Sequence, residues 1–158
     1  TNAIMDYILD THDDGRLRPA PGTPNRADYL FWFHVSQGSL QPLLTNKFVM
    51  MAMTARAPFF LKPAAKMLVG GLDKAFFGPR LKALMTEIEK ALGKSTWFAG
   101  DNLTAADIVM GYSMELAAHR AGMDAGNYPN AHRFLQQMRA YPSYQRALEQ
   151  DGKGTILL

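Results

Sequence analysis

Apolar positions recur at helical spacing along almost the whole chain and no window alternates convincingly at period two, so the pattern predicts helices and no sheet. In residues 2–10, Ile4 pairs with Ile8 and Met5 with Leu9 at i,i+4, giving a short helix with one apolar side. A helix of that length is marginal in water and needs a surface to pack on. Residues 11–24 contain Asp13-Asp14-Gly15 and prolines at 19, 21 and 24, a composition that breaks helices and marks a linker. Thr23 is placed to cap a helix opening at Pro24, where the missing N–H costs nothing. From there Tyr29, Phe33, Leu40, Leu44, Phe48 and Met51 form one stripe of a long helix, with Ser36 as its polar member. Gly38 and Pro42 predict a kink near Ser39.

Pro58 and Pro63 punctuate an apolar connector at 57–61, and a helix from about Pro63 leads to Gly78-Pro79. Beyond it Leu81, Leu84, Met85, Ile88 and Leu92 match an amphipathic helix that Gly93 is expected to end in the left-handed conformation. Residues 96–102 read as a loop carrying Trp97 and Phe98. A helix from Thr104 to about Ala121 follows and is expected to be the most buried, with Ile108 and Leu116 inside. Pro129 and Pro142 open two more, burying Phe134, Leu135 and Met138 on the first and Tyr144, Ala147 and Leu148 on the second. The expected fold class is all-α, with five to seven helices beyond the linker.

Composition narrows the classes of function. With 158 residues, 47% hydrophobic and 20% charged, the chain is globular and holds one domain plus at most a fragment of another. Its net charge of +3 is spread without a run of five like charges, so nucleic acid is not expected as a partner. The longest apolar stretch, 48–55, is closed by Lys47 and Arg56 and is too short to span a bilayer, so no membrane partner is expected either. The absence of cysteine removes disulfides, thiolate ligands and a thiol nucleophile from these residues and is compatible with the cytoplasm. His12, His34, His119 and His132 fall on separate segments without ligand spacing, so no metal is expected. Ten methionines, with Met50, Met51 and Met53 clustered, fit an adaptable groove or, more commonly, core filling.

The sharpest local signal is a capping box. Thr104 and Asp107 stand at N-cap and N3, where hydroxyl and carboxylate satisfy each other's backbone N–H, with Leu103 and Ile108 as a hydrophobic staple. Alone it is a structural device without chemistry. Read with its neighbours, Trp97-Phe98-Ala99-Gly100-Asp101-Asn102-Leu103-Thr104-Ala105-Ala106-Asp107, then Tyr128-Pro129-Asn130 and Tyr141-Pro142-Ser143-Tyr144, it resembles the carboxy-terminal helical domain of cytosolic glutathione transferases. Gln37-Gly38-Ser39-Leu40 followed by Pro42-Leu43-Leu44 is similar to a Glu-Gly-Ser-Leu stretch of the bacterial and fungal subgroup named after a yeast glutathione transferase, with Gln37 replacing the Glu.

The resemblance implies the domain plan and the chemistry. Thr1-Asn2-Ala3-Ile4 is similar to the start of the last helix of the family's thioredoxin-like domain. Residues 1–10 are then expected to be that helix, 11–24 the linker and 25–158 the helical domain, with the rest of the thioredoxin-like half lying upstream. In relatives the residue matching Thr1 holds the γ-glutamyl carboxylate of glutathione at a helix N-terminus. The thiol-activating group is expected upstream of Thr1, so no catalytic residue is expected in this chain, which alone should be inactive. Phe33, Ser36, Gln37 and Leu40, with Tyr112 opposite, are expected to wall the electrophile pocket. The implied function is conjugation of glutathione, the co-substrate, to small hydrophobic electrophiles by a cytoplasmic homodimer serving detoxification. The alternative is a non-catalytic binding or assembly module on the same fold, since fold alone does not choose.

Overall fold

The computed structural model describes residues 1–151, which form eight α-helices; their only β-type pairing is an isolated bridge between Trp97 and Gly100. In chain order they are α1 (Asn2–His12), α2 (Arg26–Val35), α3 (Gln41–Arg56), α4 (Lys62–Leu72), α5 (Gly78–Lys94), α6 (Ala105–Arg120), α7 (Pro129–Arg139) and α8 (Pro142–Asp151). The all-α class is the one the periodicity predicts. The first long helix opens later than Thr23 and Pro24 predict: Asn25 is the N-cap, and the Thr23 hydroxyl turns back to donate to the Ala20 carbonyl at 2.7 Å.

Two prolines shape the long helices without breaking them. Between α2 and α3, Ser36–Leu40 winds as a π turn in which the Gln41 N–H donates to the Ser36 carbonyl five residues back. Between α4 and α5, Asp73–Phe77 does the same, with the Gly78 N–H donating to the Asp73 carbonyl. Each turn ends two residues before a proline, Pro42 or Pro79, whose ring crowds the carbonyl four residues back and whose nitrogen cannot donate. A wider turn relieves both. Gly78 tolerates it because a Cβ there would lie 3.0 Å from the Asp73 carbonyl oxygen. The expected kink near Ser39 is therefore a π turn, and Gly78-Pro79 lies inside a continuous helical path.

The inward face keeps the helical period across the π turn. Tyr29, Phe33, Ser36, Leu40 and Leu44 are buried as the stripe predicts, but Phe48 and Met51 are exposed. Beyond Leu44 the inward positions fall at Lys47, Met50 and Thr54, all half-buried and three or four residues apart as an α-helix places them; the successive four-residue steps from Leu40 through Leu44 to Phe48 overrun that period.

α6 is the centre of the bundle, flanked by α2, α3 and α7, and buried on every side but one narrow stripe of Ile108, Tyr112 and His119. Leu116 is inside as expected, whereas Ile108, at 36% exposed, lies on that stripe and packs only partly. The helix begins at the capping box, whose two halves are both present. Asp107 Oδ2 accepts the backbone N–H and the hydroxyl of Thr104, each at 2.8 Å, and its Oδ1 accepts the Phe98 N–H at 2.8 Å. The second contact fixes the loop before α6, so that Phe98 packs on Trp32 and Phe134 with ring centroids 4.8 and 4.9 Å apart. Gly100, at φ +113°, closes that loop where a side chain would be strained.

α5 and α7 cap each other. The Glu89 carboxylate accepts from the N–H groups of Asn130 and Ala131 at the start of α7, both at 2.9 Å. The Arg133 guanidinium returns along the pair to donate to the Leu92 carbonyl at 2.7 Å. With its last carbonyls met from α7, α5 runs through Gly93 to Lys94, and Gly93 does not adopt the left-handed stop that the sequence implies; that conformation appears at Gly122, after α6. Its missing Cβ instead leaves room for the Asn130 amide, 3.3 Å from where a Cβ would sit. Phe134, Leu135 and Met138 are buried, while on α8 only Tyr144 is half-buried. Ala147 and Leu148 have run past the surface that α7 offers and are exposed.

Replacing Asp107 by Ala strands the buried N–H groups of Phe98 and Thr104 and removes the cap, which should cost about 3 kcal/mol. The thermal midpoint is expected to fall by roughly 6–12 °C. Calorimetry on both proteins measures this, and an unchanged midpoint would mean that the box contributes nothing.

Candidate functional site

Two places offer an open functional surface. The first is the start of α1. Thr1 is its N-cap: the Thr1 carbonyl accepts the Met5 N–H at 3.0 Å, while its exposed hydroxyl makes no capping bond. The first N–H groups of a helix have no partner in the helix, and with the dipole they favour an anion. α1 is held in place at both ends. Asn2 Nδ2 donates to the Phe33 carbonyl at 2.7 Å, an acceptor shared with the Ser36 hydroxyl at 2.8 Å, so the end of α1 is tied to the π turn. Farther along, the Arg18 guanidinium bridges Asp6 and Asp10 at 3.0 and 2.6 Å. Leu9 is buried against the bundle, and Ile4, Tyr7 and Ile8 face outward.

The second is a groove of about 560 Å³ between α3 and α4, lined by Met50, Met51, Thr54, Val69 and Gly70, with Lys47 and Asp73 paired at 3.0 Å at one end. A smaller hollow of about 250 Å³ lies where α3 meets the end of α6; there the Arg120 guanidinium sits 3.8 Å from the centre of the Phe48 ring. Met51 and Met53 are 55% and 65% exposed, so core filling is not their use here. The methionine cluster carried this signal in the sequence, and the helical phase of α3, with Leu44, Lys47 and Met50 turned inward, leaves Met51 and Met53 on the surface.

The residues expected to wall a pocket lie elsewhere. Phe33, Ser36 and Leu40 are buried at the junction of α2 with α6, and none of them lines either cavity. Gln37 is half-buried, and Tyr112, 42% exposed, stands on the open stripe of α6. Thr104 and Asp107 meet at the start of α6, where burial raises the Asp107 pKa although hydrogen bonds from Phe98 and Thr104 oppose the shift.

Sequence reasoning missed a buried charge. Glu115, in the middle of α6 and 6% exposed, accepts two bonds from the Arg139 guanidinium, at 2.8 and 2.6 Å, and one from the Tyr144 hydroxyl at 2.6 Å. Burial pushes the Glu115 pKa up, but the bonds from Arg139 and Tyr144 outweigh it and hold it below its ordinary value; burial and the same carboxylate push the Tyr144 hydroxyl up. The cluster joins α6, α7 and α8 with every strong group paired, which makes it a structural tie. No motif announces it, because Arg139 and Tyr144 lie 24 and 29 positions from Glu115.

A family model described as glutathione S-transferase, C-terminal domain, matches residues 52–151. Glutathione S-transferase 3 of Schizosaccharomyces pombe is 25% identical over 156 residues, covering 99% of this chain and 64% of the relative. Glutathione S-transferase 1 of Saccharomyces cerevisiae is 22% identical, covering 92% and 63%. The chain thus spans less than two thirds of the length of these two relatives. Among solved structures, the ternary complex of BphK, a bacterial glutathione transferase, superposes with a TM-score of 0.71 at 20% identity, covering 96% of this chain and 66% of that one. Glutathione transferase URE2P8 of Phanerochaete chrysosporium, solved with oxidized glutathione, gives 0.69 at 19% identity, covering 94% and 63%. At these identities the structural likeness speaks for the fold.

Two outcomes follow from the geometry. Because the Glu115 pKa is lowered in the folded protein, the tie stabilises above its ordinary value of 4.5 and is lost as pH falls through the lowered value. Asp107 has the opposite sign, since protonation relieves its burial. Urea midpoints measured between pH 7 and 3 should therefore show Glu115→Gln less stable than wild type at pH 7 and losing less on acidification. Parallel curves would mean that Glu115 does not carry the acid sensitivity. Asn2→Ala should speed amide exchange in α1 about tenfold, the equivalent of one lost hydrogen bond of about 1.4 kcal/mol, and leave α6 unchanged.

Proposed function

The chain belongs to the glutathione S-transferase C-terminal domain family, and from that premise we propose that its full-length protein conjugates glutathione to small hydrophobic electrophiles. In this reading residues 1–10 are the last helix of a thioredoxin-like half, 11–24 the linker and 25–158 the helical half, of which 152–158 lie outside the described residues. The bacterial and fungal subgroup that the Gln37-Gly38-Ser39-Leu40 stretch resembles is the proposed branch. The observation that carries the reading is the open N-terminus of α1, with the Thr1 hydroxyl uncommitted and the helix end anchored through Asn2 to the Phe33 carbonyl. Such an end suits the γ-glutamyl carboxylate, and the similar structure solved with oxidized glutathione supports that ligand class.

The reaction is attack of the glutathione thiolate on an electrophilic carbon with departure of the leaving group or proton uptake by the adduct. Stabilising that thiolate needs donors close to the sulfur, assigned in this reading to residues upstream of Thr1. This chain supplies one anion contact at Thr1 and part of the hydrophobic wall. Gln37 and Tyr112 are the expected wall residues that reach the surface, and Phe33, Ser36 and Leu40 contribute by supporting them from beneath. The outward apolar side chains of α2 and α3, among them Phe31 and Val49, are the proposed homodimer contact. The proposed compartment is the cytoplasm, where glutathione is held reduced.

The test is steady-state conjugation of 1-chloro-2,4-dinitrobenzene by the full-length protein. Thr1→Ala should raise the KM for glutathione about 10–100-fold, the loss of one charge-assisted hydrogen bond, with kcat changed far less. The 158-residue chain by itself should show no conjugation. An inactive full-length protein that binds no glutathione would favour the assembly-module reading.

A further inference from the structure

We propose that the outer side of the α3–α4 hairpin, at its connector and along α4, docks on an anionic lipid surface. The docking does not depend on the conjugation reading, and the apolar residues that carry it point away from the groove and do not line it. A surface helix ordinarily turns its polar residues to water. α4 does the reverse: none of its residues is buried, and its outward positions are Ala64, Met67, Leu68 and Gly71, with Met67 72% and Leu68 70% exposed. The connector leading into it, Pro58-Phe59-Phe60-Leu61, is apolar at every position. Phe59 is 85% and Phe60 67% exposed, their rings edge-on at 5.5 Å. Two aromatic rings held out at the tip of a hairpin fit the boundary between headgroups and acyl chains, which takes apolar side chains to a depth of about 5–10 Å.

The charge around the tip selects the surface. Residues 47–82 contain seven Lys and Arg and one carboxylate, Asp73, whereas the rest of the chain has ten against thirteen. Asp73 is taken by Lys47 at 3.0 Å, while Arg56, Lys62, Lys66 and Lys74 are exposed and have no ion-pair partner among the described residues. Arg56 ends α3 and Lys62 begins α4, so the two bracket the phenylalanines, and Lys66 follows one turn later. Such side chains lay their methylenes along apolar surface and extend their charge to the headgroups. Basic residues flanking exposed aromatic and aliphatic ones suit a segment that lies in the interface and gains from anionic lipid. A zwitterionic bilayer would leave the basic residues without net counter-charge, and a nucleic acid would leave Met67 and Leu68 in water. No helix among the described residues is long and apolar enough to cross a membrane, and contact at the surface needs none.

The experiment is co-sedimentation of the full-length protein with two kinds of vesicle, pure phosphatidylcholine and an equimolar mixture of phosphatidylcholine and phosphatidylserine. Binding to the mixed vesicles is expected to be at least tenfold tighter and to weaken as added salt screens the charges. Arg56→Gln, Lys62→Gln and Lys66→Gln together should weaken it about 100-fold, at about fivefold for each charge near the surface. Phe59→Ser combined with Phe60→Ser should weaken it at least tenfold by removing the inserted rings. All five positions are exposed, so both variants should keep the thermal midpoint of the wild type. Failure to sediment with either vesicle, equal binding to both, or binding indifferent to either variant would overturn the proposal. Self-association that the phenylalanine replacements abolish and the vesicles leave unchanged would overturn it in favour of a second copy on this face.

Discussion

The buried carboxylate of Asp107 is the constraint from which the rest of the bundle is arranged. Burying it raises its pKa, and three hydrogen bonds from Phe98 and Thr104 hold it in place. Those bonds start α6 and at the same time pin the loop before it, which delivers Phe98 against Trp32 and Phe134. One side chain therefore couples the central helix to α2 on one side and α7 on the other. A hydrophobic side chain of the same volume could fill the space but could not satisfy the two backbone N–H groups that the loop and the helix start leave inside.

Around that centre the helices are tied by polar groups in long-range pairs. Glu89 and Arg133 cap opposite ends of α7 and α5, and Glu115 gathers Arg139 and Tyr144. Each tie satisfies groups that would be costly if left unpaired in a poorly solvated setting, so the ties set the register between helices that apolar packing alone would leave free to slide. The side of the molecule formed by α3 and α4 has fewer such ties. There the Lys47–Asp73 pair spans the gap, and the space beside it remains open as a groove.

The two open surfaces both lie close to the π turns that precede Pro42 and Pro79. Pro42 widens the turn at Ser36–Leu40, whose neighbouring Phe33 carbonyl then receives Asn2 and anchors α1. On α3, Lys47 turns inward to Asp73 one turn after the buried Leu44, and Met51 and Met53 lie on the surface.

The sequence by itself determined the helices, their approximate order and the box that starts α6, because these depend on contacts within one or two turns: apolar spacing, Thr104 with Asp107, prolines at helix starts. Its resemblance to the transferase helical domain rested on the same local strings, and the family match over residues 52–151 agrees with it. The tertiary structure alone decided which faces are inside. Phe48 and Met51 are exposed because the inward face of α3 runs through Leu44 and Lys47, and Phe33, Ser36 and Leu40 are interior instead of forming an exposed wall. It also decided how chain ends are satisfied: Gly93 is not a stop because Arg133, 41 residues away from Leu92, meets the carbonyls of α5. Periodicity sees neither effect, since the first needs the helical phase to be known and the second needs the partner helix to be in place.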